Sequence, residues 1–369
     1  MNTNISDDSR IILTLDAGGT NFVFSAIQAN KEILKPIRKP ANSDNLDLLL
    51  SNVIEGFEEA ANNIPGKASA ISFAFPGPAD YPLGIIGNLP NFTAFTGGVA
   101  LGPMLEDHFG IPVYINNDGN LFTYGEALAG FLPDLNHRLK EAGSIKQHDS
   151  LIGFTLGTGF GAGIVINDQM LLGNSTSGAE VHNTLNAWNE KWNAEESVST
   201  RAIQRVYAEE SGKEFDGSLM PKDIYEIAKG EKEGNREAAL VSFATYGKSL
   251  GNSIANAMTL IDALVVLGGG ITAAWDLFAP AMFEVLNGEY TDFRGNKSSK
   301  LSYKVFNLED EKEFARFAKG EVEEITVPRS GRKIQYDALA RNGVGLSSIG
   351  GSEAIALGAY AFALQQLDK

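Results

Sequence analysis

Two short glycine-rich turns in this sequence could bind phosphate, and each lies between two apolar stretches. The first turn is DAGGTN at residues 16–21, and the second is GTGFG at residues 157–161. Glycines allow positive φ and let a ligand approach the backbone, and consecutive N–H groups in such a turn form a concavity that binds anions. The hydroxyls of Thr20 and Thr158 can add hydrogen-bond donors. Because a carboxylate repels phosphate, Asp16 in the first turn predicts a bridging Mg²⁺ with its waters.

Each turn also has a purely structural interpretation. A strand, a glycine turn and a second strand form an ordinary β-hairpin, so either turn alone could serve the fold and bind nothing. The second turn is also similar to a dinucleotide-binding fingerprint. That fingerprint leads from a strand into a helix, however, whereas residues 160–166 have the composition of another strand. A Rossmann fold is therefore disfavoured.

An amide and a carboxylate stand together at Asn117 and Asp118, between an apolar strand and a helix. Asp118 could cap the helix, because aspartate is favoured at that position. It could also be the base for a sugar hydroxyl, because a helix N-terminus favours the charged carboxylate. Asn117 offers both a donor and an acceptor, which suits a pair of hydroxyls. The two roles of Asp118 are compatible, and both stay open.

A second polar cluster covers residues 177–183 and is followed by Glu195 and Glu196. It contains Glu180, His182 and Asn183 in a glycine-containing stretch, where such side chains are usually only exposed. Convergent carboxylates and amides do bind polyols, however. Beside a phosphate site and the Asn117-Asp118 pair, this cluster therefore becomes a candidate sugar site.

The elements predicted around these residues alternate between strands and helices, which indicates an α/β fold. Apolar periodicity predicts helices at 44–63, 101–109, 120–130, 237–260 and 352–367, and strands at 68–75, 112–115 and 263–267. Residues 79–98 are predicted to be a long loop, 131–150 an irregular boundary segment, and 288–350 a charged insertion with a few strands. Gly358 inside the last helix suggests close helix packing.

Composition limits the classes of function. A chain of 369 residues can form two domains, and a formal charge of −16 argues against nucleic acid as a partner. No apolar run is long enough to span a membrane, and the first residues lack the features of a signal peptide, so a cytoplasmic location is expected. The absence of cysteine excludes disulfides, thiolate zinc sites and cysteine nucleophiles.

Taken together, the motifs resemble those of the ROK family of sugar kinases and repressors, which belongs to the actin-like ATPase superfamily. The resemblance runs from about residue 10 to 275 and resumes in the last helix. The motifs that carry it, in order, are D-x-G-G-T at 16–20, Pro76-Gly77, Asn117-Asp118, G-T-G-x-G-x-G at 157–163, Gly178-Ala179-Glu180 and Gly268-Gly269-Gly270.

The resemblance implies two α/β lobes of the actin-like ATPase (ribonuclease H-like) type around a central cleft. The N-terminal lobe would comprise residues 8–118 and 352–369, and the C-terminal lobe residues 119–351 with the insertion at 288–350. The implied activity is ATP-dependent phosphorylation of a hexose (glucose, fructose, mannose or an N-acetylhexosamine) at its 6-hydroxyl. ATP and Mg²⁺ would be the cofactors, the sugar and ATP the small-molecule partners, and the assembly a homodimer.

The resemblance also assigns roles to residues. Asp118 would be the catalytic base, and Asp16 would hold Mg²⁺ through water. The residues implied for ATP and phosphate are Asp16, Gly18, Gly19, Thr20, Asn21, Gly157, Thr158, Gly159, Gly268, Gly269 and Gly270. The residues implied for the sugar are Gly77, Asn91, Asn117, Asp118, Glu180, His182, Asn183 and Glu195.

The sequence departs from the family pattern in one segment. The family often has a histidine three residues after the position of Glu180, and a zinc site built from that region and three cysteines. Here Asn183 holds the histidine position, His182 comes one residue early, and no structural zinc of that kind is expected. Trp188 and Trp192 could pack this segment instead, or could belong to a helix core.

Two other functions are compatible with the family. A DNA-binding repressor would carry a helix-turn-helix domain before the sugar domain, and the first phosphate turn begins too early for one. A sugar-binding or regulatory protein without catalysis would explain the missing zinc site and the displaced histidine. Both glycine turns and the Asn117-Asp118 pair remain intact, however, which favours a kinase.

Overall fold

The chain is a mixed α/β protein, and the computed structural model describes residues 5–18, 20–89 and 93–369. Its strands are β1 Ile11–Ala17, β2 Asn21–Gln28, β3 Lys31–Glu32, β4 Ile37–Pro40, β5 Ala68–Ala74, β6 Ala79–Asp80, β7 Ile85–Ile86, β8 Val99–Ala100, β9 Val113–Asn116, β10 Ser150–Leu156, β11 Phe160–Ile166, β12 Gln169–Met170, β13 Leu264–Gly268, β14 Glu289–Thr291, β15 Lys297–Ser299, β16 Lys304–Asn307, β17 Val322–Thr326, β18 Lys333–Asp337 and β19 Arg341–Leu346. Its α-helices are α1 Leu46–Asn62, α2 Leu101–Phe109, α3 Asp118–Leu128, α4 Phe131–Glu141, α5 Thr200–Glu210, α6 Pro221–Lys229, α7 Arg236–Ile261, α8 Trp275–Leu286, α9 Glu311–Lys319 and α10 Gly351–Leu367.

The chain forms two compact units. The first consists of Met1–Pro133, Gly163–Ala179 and Ser348–Lys369, and the second of Asp134–Ala162 and Glu180–Ser347. These units differ from the predicted lobes in three ranges. The prediction places residues 119–133, 163–179 and 348–351 in the C-terminal lobe, whereas they belong to the first unit. The assignment of functional lobes stays a prediction.

The sheet of the first unit has the strand order β3-β2-β1-β5-β9, with β4 beside β2. Strands β1 and β2 form the predicted antiparallel hairpin, whereas β1, β5 and β9 are parallel. Aromatic side chains pack α1 onto this sheet, since the rings of Phe24 and Phe57 meet edge to face at 5.0 Å. Both rings are fully buried, and this apolar contact fixes the sheet that presents the site residues.

Helices α3 and α10 of the first unit approach each other unusually closely because both carry a glycine at the contact. A Cβ on Gly358 would overlap the carbonyl oxygen of Leu121, and a Cβ on Gly125 would overlap that of Ala354. The prediction that Gly358 serves close helix packing is therefore confirmed. The contact matters for the site because α3 begins at Asp118.

The second six-stranded sheet has the order β12-β11-β10-β13-β19-β16. Three neighbouring pairs in this order are parallel: β10 with β13, β13 with β19, and β19 with β16. Helix α7 packs on α8 in the second unit through another glycine, since a Cβ on Gly247 would overlap the carbonyl oxygen of Phe278. The long helix predicted at 237–260 is confirmed as α7.

Three expectations are corrected. The segment predicted as an irregular boundary at 131–150 contains α4, whose buried residues include Phe131, Leu135 and Leu139. The segment 288–350 is more than an insertion, because β16 and β19 belong to the second six-stranded sheet. Helix α9 lies between these two strands in the sequence. The predicted loop at 79–98 contributes the short strands β6 and β7 before β8.

The other predicted elements are present with ends that differ by at most a few residues. Within residues 5–18, 20–89 and 93–369, no helix is long and apolar enough to cross a membrane.

Candidate active site

Three predicted site residues of the first unit lie at one edge of its sheet. Asp16 is near the carboxyl end of β1, Gly77 follows β5, and Asp118 follows β9. These strands are parallel neighbours, so their carboxyl ends meet at the same edge, which is where α/β sheets bind ligands. All three residues are exposed to solvent.

In the turn between β9 and α3, the side chains of Asn117 and Asp118 have different roles. The N-cap of α3 is Asn117, whose Oδ1 accepts from the backbone N–H of Asn120 at 2.6 Å. Asp118 is the first residue of the helix, and its Oδ1 accepts only from the backbone N–H of Gly119, at 2.9 Å, among the described residues. The capping role that was open for Asp118 thus belongs to its neighbour. The Asp118 carboxylate is left exposed at a helix N-terminus.

Two further asparagines fix this turn, and the sequence analysis gave them no role. Asn116 is buried, and its Oδ1 accepts from the backbone N–H of Asn117 at 2.9 Å and from Nδ2 of Asn120 at 3.0 Å. Oδ1 of Asn120 is buried without a hydrogen-bond partner among the described atoms. The repeated asparagines in NNDGN at 116–120 were the available signal, because buried amides in a turn need such partners.

The first glycine turn keeps Asp16 accessible. Leu15 is buried and Asp16 is exposed, and Asp16 lines a cavity of about 350 Å³ in the first unit. A Cβ on Gly18 would lie 2.9 Å from the carbonyl oxygen of Asn21, so this close turn requires glycine there. Thr20 and Asn21 are exposed, and Gly19 lies outside the described residues.

Asp16 is a suitable magnesium ligand of the kind that leaves most of the coordination shell to water and phosphate. Mg²⁺ in nucleotide sites is typically held by one or two carboxylates together with substrate oxygens. In the part of the chain that the structure describes, no group of three or more His, Cys, Asp or Glu could hold a metal ion by itself. A single accessible carboxylate fits Mg²⁺ that arrives with a nucleotide.

In the second unit, the structure brings two predicted phosphate segments together. Residues 157–159 follow β10. Gly268 is the last residue of β13, residues 269–270 follow it, and β10 and β13 are parallel neighbours. Gly269 has φ of 95° and packs so closely on Leu156 that a Cβ would overlap its carbonyl oxygen, whereas Gly270 borders open space. The two turns therefore share one sheet edge.

The turn at 157–159 has two backbone amides available to a ligand. The N–H of Gly157 donates to the carbonyl oxygen of Gly159 at 3.2 Å, and the N–H of Phe160 donates to Oε2 of Glu195 at 3.0 Å. The N–H groups of Thr158 and Gly159 have no acceptor within residues 5–18, 20–89 and 93–369, and both residues are exposed. Two adjacent open amides are what an anion site needs.

Glu195 connects the predicted sugar segment to this turn. Besides its bond to Phe160, its Oε1 lies 3.5 Å from Nη2 of Arg201, which also contacts Glu196 at 3.0 Å. Glu195 follows Ala194 in a short 3₁₀ helix, and Val181–Asn183 forms another. The carboxylate of Glu195 shapes the turn, and its contact with a sugar stays a prediction.

The remaining sugar candidates of the second unit are partly accessible. Oε2 of Glu180 lies 3.0 Å from Nδ1 of His182, so these two side chains form a pair. Asn183 is exposed. Asn91 lies outside the described residues. Gly77, Asn117 and Asp118 belong to the first unit, so the predicted sugar residues fall into two groups.

The segment 180–197, in which the sequence departs from the family pattern, is held together by the buried side chain of Asn186. Nδ2 of Asn186 donates to the carbonyl oxygen of Asn193 at 2.9 Å and to Oγ of Ser197 at 2.8 Å. Its Oδ1 accepts from the backbone N–H of Trp188 at 2.9 Å and from that of Asn189 at 3.2 Å. Every hydrogen-bonding group of this amide is used, which ties both sides of the segment together.

The two tryptophans pack this segment and do not belong to a helix. Nε1 of Trp188 donates to Oγ of Ser249 on α7 at 2.8 Å. The guanidinium of Arg205 on α5 lies 4.7 Å from the ring centroid of Trp192, which is a cation–π contact. These two contacts therefore anchor the segment to α7 and α5.

Comparison with known proteins agrees with these observations. The family model described as the ROK family matches residues 12–297. A glucokinase of Thermotoga maritima is 25% identical over 301 residues, which cover 77% of this chain and 90% of the relative. An N-acetyl-D-glucosamine kinase of Vibrio parahaemolyticus is 27% identical over 277 residues, covering 70% and 83%.

Similarity to a solved structure extends over almost the whole chain. The crystal structure of a glucokinase from Parabacteroides distasonis shares 52% sequence identity and superimposes with a TM-score of 0.89. The match covers 98% of this chain and 99% of that one. The actin-like ATPase fold predicted from the sequence is confirmed.

Proposed function

The chain belongs to the ROK family, and from that premise we propose that it is a carbohydrate kinase that transfers the γ-phosphate of ATP to the 6-hydroxyl of a hexose. The family match and the similarity to a glucokinase at 52% identity support the class of enzyme. Glucose and N-acetylglucosamine are the sugars to test first, because the relatives carry those names.

The main observation behind the proposed role toward the sugar, which accepts the phosphate, is the exposed carboxylate of Asp118. Asn117 caps α3, so Asp118 is not needed for that task and its second carboxylate oxygen stays open to a ligand. A carboxylate held at a helix N-terminus can accept a hydrogen bond from a sugar hydroxyl and take its proton during transfer. The buried asparagines beside it hold the turn in one geometry.

On the donor side, the amides of Thr158 and Gly159 bind phosphate oxygens, and Gly270, which borders open space, leaves room for the nucleotide. Phosphoryl transfer passes through a loose transition state, so positioning and charge stabilisation supply most of the rate. Asp16 would hold Mg²⁺ through water, and the ion would neutralise charge on the phosphates. Glu195 keeps the amide turn in its open shape through Phe160.

The central experiment is an ADP-release assay of the purified protein with a panel of hexoses and N-acetylhexosamines. The wild type should release ADP in a sugar-dependent manner, and the product should be a 6-phosphate. Asp118→Asn should lower turnover by roughly 10² to 10⁴-fold, because it removes a positioned base. Asp107→Asn, an exposed aspartate on α2 of the same unit, is the matched control and should retain full turnover.

Two results would overturn the proposal. The first is an absence of sugar-dependent ADP release together with calorimetric binding of sugars alone, which would indicate a sugar-binding protein without catalysis. The second is normal turnover by the Asp118→Asn variant, which would remove Asp118 from the chemistry.

A further inference from the structure

The turn at 157–159 is held on both sides of its two open amides. Before them, the carbonyl oxygen of Gly157 accepts two hydrogen bonds from Thr200, one from its backbone N–H at 2.9 Å and one from its Oγ1 at 3.1 Å. After them, the N–H of Phe160 donates to Oε2 of Glu195 at 3.0 Å. The bonds from Thr200 have no role in the site as described so far.

The bonds from Thr200 control the direction of an open amide, because a peptide unit is rigid. The carbonyl of Gly157 and the N–H of Thr158 belong to the same peptide unit, which is planar and trans, so the two groups point in opposite directions. While Thr200 holds the carbonyl on one side, the N–H of Thr158 is turned to the other side, where it has no acceptor among the described residues. Thr200 therefore orients this amide from behind.

The turn does not fix this peptide unit by its own bonds. The N–H of Gly157 donates to the carbonyl oxygen of Gly159 at 3.2 Å, but these two groups belong to the peptide units before Gly157 and after Gly159. Glycine also allows a wide range of backbone angles, and a Cβ on Gly157 would meet no atom within 4 Å. Rotation of the unit between Gly157 and Thr158 would point its carbonyl oxygen, instead of its N–H, toward a phosphate.

Thr200 is itself held on a firmly packed element. It is the first residue of α5, it follows the fully buried Ser199, and Ile203 in the next turn is also fully buried. Its backbone N–H is one of those that a helix leaves without an internal partner, so the bond to Gly157 costs α5 nothing. We propose that Thr200 is a positioning residue that directs the N–H of Thr158 toward the phosphates of ATP. This inference rests on the proposed kinase function.

Steady-state kinetics, together with calorimetric binding of a non-hydrolysable ATP analogue and Mg²⁺, test this proposal. Thr200→Val keeps the shape of the side chain but loses the hydroxyl bond to Gly157. It should raise the KM for ATP and the Kd of the analogue by about fivefold, which corresponds to one hydrogen bond, and leave the KM for sugar unchanged. Thr200→Ser keeps the hydroxyl and should have the wild-type KM for ATP. Thr259→Val on α7 removes a similar bond from a hydroxyl to a backbone carbonyl, 2.7 Å long, and is the matched control that should keep both KM values.

Thermal unfolding of every variant separates positioning from a general loss of structure, which would lower the melting temperature and raise both KM values. The proposal is overturned if Thr200→Val binds the analogue as tightly as the wild type, if its KM for sugar rises as much as its KM for ATP, or if Thr200→Ser is as impaired as Thr200→Val. A wild type that binds no ATP analogue would overturn the proposed function as well, so the two failures give different results.

Discussion

At the start of α3, two adjacent side chains share the helix N-terminus. Asparagine and aspartate are both favoured N-caps, so the sequence could identify the pair but could not say which residue caps. The answer depends on where β9 ends. The strand continues to Asn116, which leaves Asn117 in extended geometry with ψ of 161° and places Asp118 in the first turn.

Replacement of the cap should therefore affect stability, and replacement of its neighbour should not. Asn117→Ala should lower the free energy of unfolding by about 1 kcal/mol, because the backbone N–H of Asn120 in the first turn loses its acceptor. Asp118→Asn should change it by less than about 0.5 kcal/mol. Urea unfolding followed by circular dichroism measures both values. The opposite ranking would return the capping role to Asp118.

At the scale of an element, the turn after β13 depends on one of its glycines and not on the next. Gly269 has positive φ and no space for a side chain, whereas an added Cβ on Gly270 meets no atom within 4 Å. Gly269→Ala should be destabilised by more than about 2 kcal/mol and should raise the KM for ATP. Gly270→Ala, its matched control, should keep the melting temperature. Thermal unfolding and ATP titrations compare them. Equal behaviour of the two variants would contradict this account of the turn.

The segment 180–197 carries a second prediction at this scale. Asn186 ties its two sides together, and the segment includes Glu180 and Glu195. Asn186→Ala should leave buried groups unpaired, cost about 1 to 3 kcal/mol, and raise the KM for sugar more than the KM for ATP. A chelator selective for zinc should leave the wild type unchanged, since no thiolate is present. Steady-state kinetics with sugar and with ATP as the varied substrate measure the two KM values. An Asn186→Ala variant with an unchanged KM for sugar would refute the role of Asn186 in holding the segment. Loss of activity of the wild type in the chelator would refute the prediction that the segment needs no zinc.

Comparison of the elements shows where local sequence determines structure. Helices α1, α2, α7 and α10 follow clear apolar periodicity and were predicted within a few residues. Helix α4 was missed because Pro133 and many polar residues conceal the spacing of its buried leucines. Proline is tolerated there because it lies in the first turn, where its missing N–H is not needed.

Strand β19 could not be predicted, because tertiary contacts create it. Its sequence RNGVGL begins with two polar residues that are buried. Arg341 is accommodated because its guanidinium pairs with Asp337 and donates to the carbonyl oxygen of Phe317. For the site, residue types and motif order were sufficient to nominate candidates. The capping role of Asn117 and the contact of Glu195 with Phe160 could not be predicted from the sequence, because both depend on three-dimensional geometry.

At the scale of the whole molecule, His148 makes global stability depend on pH. Its ring stacks on Phe317 with centroids 5.6 Å apart, and its Nε2 is buried without a partner among the described atoms. Burial, together with the nearby cations Lys146 and Arg341, lowers the pKa of His148 to about 4. The carboxylates of Asp149 and Asp262 oppose this shift only in part.

The sign of the effect follows from the protonation states. Between pH 6.5, the ordinary pKa of histidine, and about 4, the unfolded chain binds a proton at His148 that the folded chain does not. The extra proton stabilises the unfolded state, so the free energy of unfolding decreases as pH falls through this window, by on the order of 3 kcal/mol in total. His148→Phe keeps the stacked ring and removes the titration. It should lose less stability than the wild type between pH 7 and pH 4.

Denaturation midpoints across this pH range measure the difference, and the chain supplies its own control. His137 on α4 is 70% exposed and contacts Glu141, so His137→Phe should follow the pH dependence of the wild type. The backbone of His148 exchanges hydrogen bonds with Asn136 at 2.9 and 2.7 Å, and these do not involve its ring, so the substitution leaves the attachment of α4 in place. If His148→Phe instead loses stability with falling pH as steeply as the wild type, acid sensitivity must come from carboxylates, which would rule out the buried imidazole as its source.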